Sequence, residues 1–268
     1  MIALREVAVR GALPEGYPFS VGAVQAVATH GLRLMQPVTF LVGENGSGKS
    51  TLLEAIAVAA GRATVGEVDA RRDPTLAGAR ALATHLRLTW ARRATEGFFL
   101  RAEDFFSFAR TMDANRSEME REVARITEDP SISARARGYA LMPYAREIGA
   151  LHARYGASVD GRSHGEAFLA LFQQRLGAGG LILLDEPEAP LSPQRQLALL
   201  ALVMDAADRG AQFVIATHSP ILMALPGAEI LSLSAAGITR TAWGDLEHVT
   251  LTRAFLNDRA AYLRHLSE

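Results

Sequence analysis

What this sequence lacks narrows the field first. None of its 268 residues is cysteine, which excludes disulfides, thiolate zinc sites and iron–sulfur clusters. No apolar run approaches the roughly 18–20 residues needed to span a bilayer. The opening Met1-Ile2-Ala3-Leu4-Arg5-Glu6 lacks the basic flank and long apolar core of a signal peptide. A cytoplasmic location without membrane insertion is therefore expected. The formal net charge is -1, so bulk charge points to neither a nucleic-acid nor a membrane surface. Lysine is almost missing: of 28 basic side chains, all but Lys49 are arginine. The one survivor stands where a phosphate-binding loop needs a compact ammonium, which a planar guanidinium replaces poorly.

What is present alternates strand and helix. Ile2–Val9 reads as an opening, antiparallel strand, and Gly11–Gly31 as a loop with a short helix. Val38-Thr39-Phe40-Leu41-Val42 is a short β-branched, apolar run of the kind buried in parallel sheets. A glycine-rich turn leads into a helix over Lys49–Ala60 that stops at Gly61. Arg62–Arg80, rich in Gly, Asp, Pro, Ala and Arg, reads as a mobile loop. Short strands are expected at His85–Trp90 and Gly97–Arg101, then helices at Glu103–Glu128 and Ala140–Tyr155. Residues 62–160 are the candidate helical insertion within a single domain, 1–268. Further on come a helix ending near Leu176, a strand Leu181–Leu184, a helix Pro193–Asp208 and a buried strand Gln212–Ala216. A hairpin, Glu229–Leu233 with Gly237–Ala242, and two helices, Leu246–Leu256 and Arg259–Leu266, close the chain. The order predicts an α/β fold: a mainly parallel sheet with flanking helices, N-terminal antiparallel strands and a helical insertion.

Three segments carry chemistry. Gly43-Glu44-Asn45-Gly46-Ser47-Gly48-Lys49-Ser50, followed by Thr51, fits the phosphate-loop pattern G-x-x-x-x-G-K-[ST]. Its glycines let backbone N–H groups wrap phosphates, and the helix that comes next presents its positive end. Lys49 would reach the β- and γ-phosphates of ATP, and the Ser50 hydroxyl would ligate Mg²⁺. The second segment, Leu181-Ile182-Leu183-Leu184-Asp185-Glu186-Pro187, is an apolar strand ending in two carboxylates. Asp185 suits the Mg²⁺ ion, and Glu186, turned differently, suits a general base for the attacking water. By itself Asp-Glu-Pro is also a common turn. The third is His218 in Ala216-Thr217-His218-Ser219-Pro220, placed to sense the γ-phosphate or orient the water, or else a plain strand-end cap.

Together these segments resemble the ATP-binding-cassette ATPases, and among them the stand-alone SMC/RecF/OLD-like bacterial proteins often called AAA-type. The resemblance covers about Ile2–Thr51 and Gly161–Leu233, and the middle region only loosely. In that superfamily a signature segment opens a helix ahead of the acidic strand. Here Arg162-Ser163-His164-Gly165-Glu166 stands there, keeping the hydroxyl of Ser163 and the glycine Gly165 but departing at His164 and Glu166. The resemblance implies that Ser163 and Gly165 contact the γ-phosphate held by a second copy, in an ATP-dependent head-to-tail homodimer. Ser163 with Glu166 also fits a capping box. Ser192 replaces an aspartate common in the family, and Arg101-Ala102-Glu103 is a candidate for the missing glutamine loop. Tyr17 lies at a plausible distance to stack on adenine, or serves as a turn residue. ATP hydrolysis is the activity expected, with output in DNA maintenance, defence, or regulation of a protein partner. A transporter ATPase subunit and a slow-turnover ATP-binding sensor are the alternatives.

Overall fold

The computed structural model describes residues 2–64, 70, 73–155, 164–177, 179–234 and 236–266. Its centre is β3 (Val38–Val42), in which all five residues are buried. Parallel neighbours flank it, β7 (Ala211–Ala216) and β8 (Glu229–Ser234). A strand covered on both faces has no polar side, which accounts for the unbroken apolar run. The full sheet runs β5 (Phe99–Arg101), β6 (Gly180–Asp185), β7, β3, β8, β9 (Gly237–Arg240). Neighbours are parallel from β5 to β8, and β9 closes the edge as the antiparallel arm of the expected hairpin.

A second, three-stranded sheet joins β2 (Leu32–Arg33), β1 (Leu4–Val9) and β4 (Leu86–Trp90), all antiparallel. Between the sheets lies α2 (Lys49–Ala60), whose Leu52, Leu53, Ala55, Ile56 and Ala57 are fully buried. α1 (Gly22–His30) shares this core. The opposite face of the large sheet is covered by α6 (His164–Arg175), α7 (Pro193–Asp208) and the start of α8 (Glu247–Asn257), with Phe98, Phe105, Phe168 and Phe172 packed together. α9 (Arg259–Leu266) comes after α8.

Two expectations are corrected. The expected loop Arg62–Arg80 contains a 3-10 turn, Pro74–Leu76, and the start of α3 (Ala77–Ala83). Leu76, Ala79 and Leu82 recur at helical spacing and are buried against α2, a pattern that the Gly- and Arg-rich surroundings concealed. Asp73 caps the turn by accepting from the Thr75 N–H at 2.9 Å. Residues 65–69 and 71–72 lie outside the described residues. The helical excursion is also narrower than 62–160, because β4 and β5 inside that range join the two sheets. It is confined to a helical pair, α4 (Ala102–Glu128) and α5 (Ala134–Tyr155).

One buried side chain ties the sheets to each other. Gln212 of β7 accepts from the N–H groups of Ala3 (2.9 Å) and Leu4 (2.7 Å) and donates to Leu4 O (2.8 Å). It is fully buried, so an apolar substitute would strand backbone groups without partners. Gln212→Leu should lose roughly 2–4 kcal/mol of unfolding free energy in urea titration. A change below about 0.5 kcal/mol would show that the two sheets are held by apolar packing alone.

Candidate nucleotide site

The phosphate loop joins β3 to α2 and is gripped from two sides. Gly43 has φ 154°, and a Cβ there would sit 2.4 Å from Leu233 O of β8. Gly48, the left-handed N-cap of α2 with φ 93°, would push a Cβ to 2.7 Å from Val21 Cγ2. No other residue type fits either place. The Ala23 N–H of α1 donates to Ser47 O at 2.8 Å and fixes the loop's middle. Lys49 is 5% exposed, and its ammonium donates to Gly43 O (2.8 Å) and Glu44 O (3.0 Å), closing the loop on itself. Burial lowers its pKa, opposed by the carboxylates of Glu186, Asp185 and Glu188. Glu44, Asn45 and Gly46 are exposed at the rim, whereas Thr51 is buried within α2.

Asp185 comes to this loop from β6. Although 135 residues separate them, the Ser50 hydroxyl donates to Asp185 Oδ1 at 3.1 Å. Desolvation pushes the Asp185 carboxyl up to about 7, with the charges of Glu54 and Glu186 adding to it and Ser50 and Arg101 opposing. Glu186 then turns the chain. At φ 49° it is the one non-glycine in left-handed backbone among the described residues, held by its N–H to Ala216 O at 2.9 Å. Such a conformation costs about 1–3 kcal/mol and is kept where the surroundings demand it. Here it swings Glu186 out to solvent beside the buried Asp185, within electrostatic reach of Lys49 and His218.

His218 sits at the end of β7, its backbone N–H donating to Glu188 Oε1 at 2.8 Å. Its imidazole pKa is lowered first by burial and then by the charge of Lys49, with Glu186 opposing. Glu188, not among the residues expected from the sequence, is the second glutamate of Asp185-Glu186-Pro187-Glu188. Desolvation raises its pKa, and its hydrogen bonds to the His218 backbone and Thr217 oppose the shift.

Other expected site residues lie elsewhere. Ser163 falls outside the described residues. Gly165 opens α6 against α7, where a Cβ would meet Arg195 Cδ at 2.6 Å and Pro190 O at 3.0 Å, and Glu166 pairs with Arg195 at 2.8 Å. Neither lines the cleft beside the phosphate loop. Arg101 is no exposed loop residue but a guanidinium 4% exposed, bonded to Asp104 (2.6 Å), Thr75 (3.1 Å) and Glu54 (3.2 Å). It ties α2, α4 and the turn at 73–75 together. Tyr17 is 69% exposed, its ring over Gly78 and outside the cleft lining. That cleft, of about 760 Å³, is walled by the phosphate loop, His218, the end of β8 and, unexpectedly, the first turns of α8.

The donor set fits a magnesium ion. Asp185 and Ser50 offer hard oxygens side by side, and burial makes the charged form of Asp185 costly, a cost that a cation beside it would offset. Among the described residues no three His, Asp or Glu side chains form a ready cage, so an ion here would lean on phosphate and water oxygens as Mg²⁺ does. The folded pKa of Asp185 exceeds its ordinary 3.8, so the fold disfavours the charged form. That penalty is absent below pH 3.8, grows as pH rises, and is complete above about 7. Asp185→Asn should therefore stabilise the nucleotide-free protein above pH 7 by roughly 2–4 kcal/mol in denaturant titration, less toward pH 5. The same variant should lose the effect of Mg²⁺ on nucleotide binding. Equal stability at both pH values would mean that the charge is already compensated.

Comparison with known proteins agrees with this geometry. Residues 29–124 match the family described as "AAA domain", and residues 167–224 the one described as "AAA domain, putative AbiEii toxin, Type IV TA system". The hemin import ATP-binding protein HmuV of Pseudomonas fluorescens (strain Pf0-1) is 28% identical over 188 residues, covering 66% of this chain and 65% of that protein. The match thus spans less than two thirds of that relative's length. Among solved structures, an inward-facing "putative metal-chelate type ABC transporter" aligns with 95% of this chain and 89% of its own at 19% identity, TM-score 0.48. A nucleotide-free ATP-binding cassette from an ABC transporter aligns with 95% and 96% at 14% identity, TM-score 0.47. In these matches, and in a glycine loop and lysine brought beside an acidic strand end, the chain is similar to ABC-type P-loop ATPases.

Proposed function

We propose that the cleft binds Mg-ATP and hydrolyses it with Glu186 as general base, and that nucleotide state switches a head-to-tail homodimer. The observation that carries the proposal is the contact of Ser50 with Asp185 beside the buried Lys49. Each of these groups is tied up internally in a way that phosphate and cation would replace. Lys49 exchanges two loop carbonyls for β- and γ-phosphate oxygens, and the loop N–H groups wrap the same phosphates. Ser50 and Asp185 exchange their mutual hydrogen bond for Mg²⁺, which when bound spreads the negative charge that develops on the phosphates. Glu186, exposed next to this centre, takes a proton from the attacking water. The neutral imidazole of His218 donates toward the terminal phosphate.

The dimer rests on two things. The family resemblance assigns Ser163 and Gly165 to the nucleotide of a second copy. Gly165, for its part, is clamped to Pro190 and Arg195 instead of lining its own cleft. ATP would favour closure only because its γ-phosphate touches both copies. The stand-alone SMC/RecF/OLD-like affinity, and with it an output in DNA maintenance or defence, rests on the resemblance of the Ser163–Glu166 segment alone. A second reading, the ATPase subunit of a membrane transporter, is favoured by the likeness to a hemin import ATP-binding protein. Among the described residues no helix is long and apolar enough to cross a membrane, and that reading would pair the chain with a membrane component.

Glu186→Gln keeps the shape of the base and removes its proton affinity, so ATP turnover should fall by at least about 100-fold while ATP still binds. Light scattering should then find doubled mass with Mg-ATP, and monomer for Lys49→Ala under the same conditions. Bound ATP with unchanged mass would refute the homodimer and turn the search to a membrane or other protein partner.

A further inference from the structure

One wall of the nucleotide cleft has no role in this hydrolytic chemistry. α8 brings Glu247, His248 and Leu251 to it, opposite the phosphate loop. Its placement is fixed by two anchors. Leu246 and Val249 are buried in the core that also holds Leu222 and Met223. Just upstream, Trp243 Nε1 donates to Pro220 O at 2.8 Å, and Pro220 closes the Thr217–Pro220 segment that carries His218. The helix and the histidine loop are therefore one packed unit.

That unit sets two imidazoles face to edge, His218 and His248, with centroids 6.4 Å apart and planes at 61°. Both line the cleft, and both have a buried Nε2 without a hydrogen-bond partner. A buried polar atom left unpaired costs about 1–3 kcal/mol, and native folds keep few of them. Two such atoms, in residues that line one cleft from separate chain segments, indicate that a ligand supplies the missing partner. Burial lowers the proton affinity of both rings, and Lys49 adds to it for each, although His218 feels Glu186 and His248 feels Glu247 in the opposite sense. Each neutral ring can offer one N–H. An anion with several acceptor oxygens, standing at the end of the phosphate loop, would satisfy both at once. The terminal phosphate of ATP has that chemistry, and ADP does not reach as far.

We infer that His248 is a second nucleotide-contacting histidine, reading the terminal phosphate together with His218 and so tying helix α8 to nucleotide state. The inference rests on the ATPase reading of the cleft. A merely structural His248 would affect ATP and ADP alike, whereas a phosphate reader separates them.

Calorimetric titration with Mg²⁺ and either a non-hydrolysable ATP analogue or ADP tests this. His248→Ala should weaken the analogue by roughly ten- to a hundredfold, the worth of one hydrogen bond to a charged group, and ADP by less than about twofold. His248→Gln, which keeps an N–H donor, should recover part of the loss. Equal losses for both nucleotides, or none, would overturn the inference. Lys49→Ala separates the two levels of failure. If the wild type binds neither nucleotide, or Lys49→Ala binds like wild type, the ATPase reading itself fails and takes the inference with it. If Lys49→Ala loses binding and His248→Ala does not, only His248 is wrongly assigned. Should the His248 variants not fold, ¹⁵N-histidine spectra of the wild type decide. Two ring resonances should move with the analogue and not with ADP, and movement of one or none would overturn the assignment.

Discussion

Parallel strands locked in register place every element of this site. Leu41 of β3 stands beside Ala216 of β7, Ala216 beside Asp185 of β6, and Asp185 beside Arg101 of β5. Four strands thus end on one line across the sheet, and the segments that leave them all emerge at one edge. From β3 comes the phosphate loop, from β7 the His218 segment, from β6 Glu186 and Glu188, and from β5 the head of α4. A slip of one residue in β6 would exchange its two faces and turn Asp185 away from Ser50. The apolar strands exclude such a slip, because both faces of each are buried and the ladder must satisfy every backbone group.

Charge is distributed unevenly along that line. Asp185, Glu186 and Glu188 bring three carboxylates near one ammonium, Lys49, and Glu54 adds its charge on Asp185. Arg101 is already engaged with Asp104, Glu54 and the turn at Asp73 and Thr75. The excess negative charge lies in a partly dry place, where it is costly. A divalent cation would remove that cost and provide the charge needed to draw in polyphosphate. On the proposed reading, local electrostatics would make the metal and the nucleotide mutually dependent ligands. Lys49 alone is too little for a triphosphate, and Asp185 alone repels it.

Period and punctuation made most of this legible in the sequence. The bounds of β3, α2 and α7 are readable from Val38–Val42, Lys49–Ala60 and Pro193–Asp208, because an apolar run, a left-handed glycine cap and a proline at the first helical turn are local signals. α3 escaped because all its apolar positions but Leu82 are alanines within an arginine-rich stretch, whereas the sequence marked β4 and β5 as strands without showing which distant strands they pair with. In the site, the loop and the acidic pair announce themselves by type and spacing. Glu188 and His248 do not. Their roles depend on which segments the fold brings together, and the 30 residues between Glu188 and His218 carry no local sign of it.

The atoms left unsatisfied make a pattern of their own. Ser47 Oγ, His218 Nε2 and His248 Nε2 are buried without hydrogen-bond partners, and all three belong to residues lining one cleft. Glu188 Oε2, similarly unpaired, belongs to the side chain that holds the His218 backbone. Nearby, Glu186 keeps a backbone conformation that glycine would adopt at less cost. Arg137 Nε and Glu229 Oε2 also lack a hydrogen-bond partner and lie elsewhere, but the other four atoms belong to residues lining the cleft or to the side chain that holds the His218 backbone. Local rules give way together where a fold is shaped for something it does not itself contain. On the reading proposed above, a polyphosphate with its cation would answer each departure: acceptor oxygens for the hydroxyl and imidazoles, positive charge for the carboxylates, and a water within reach of the strained Glu186.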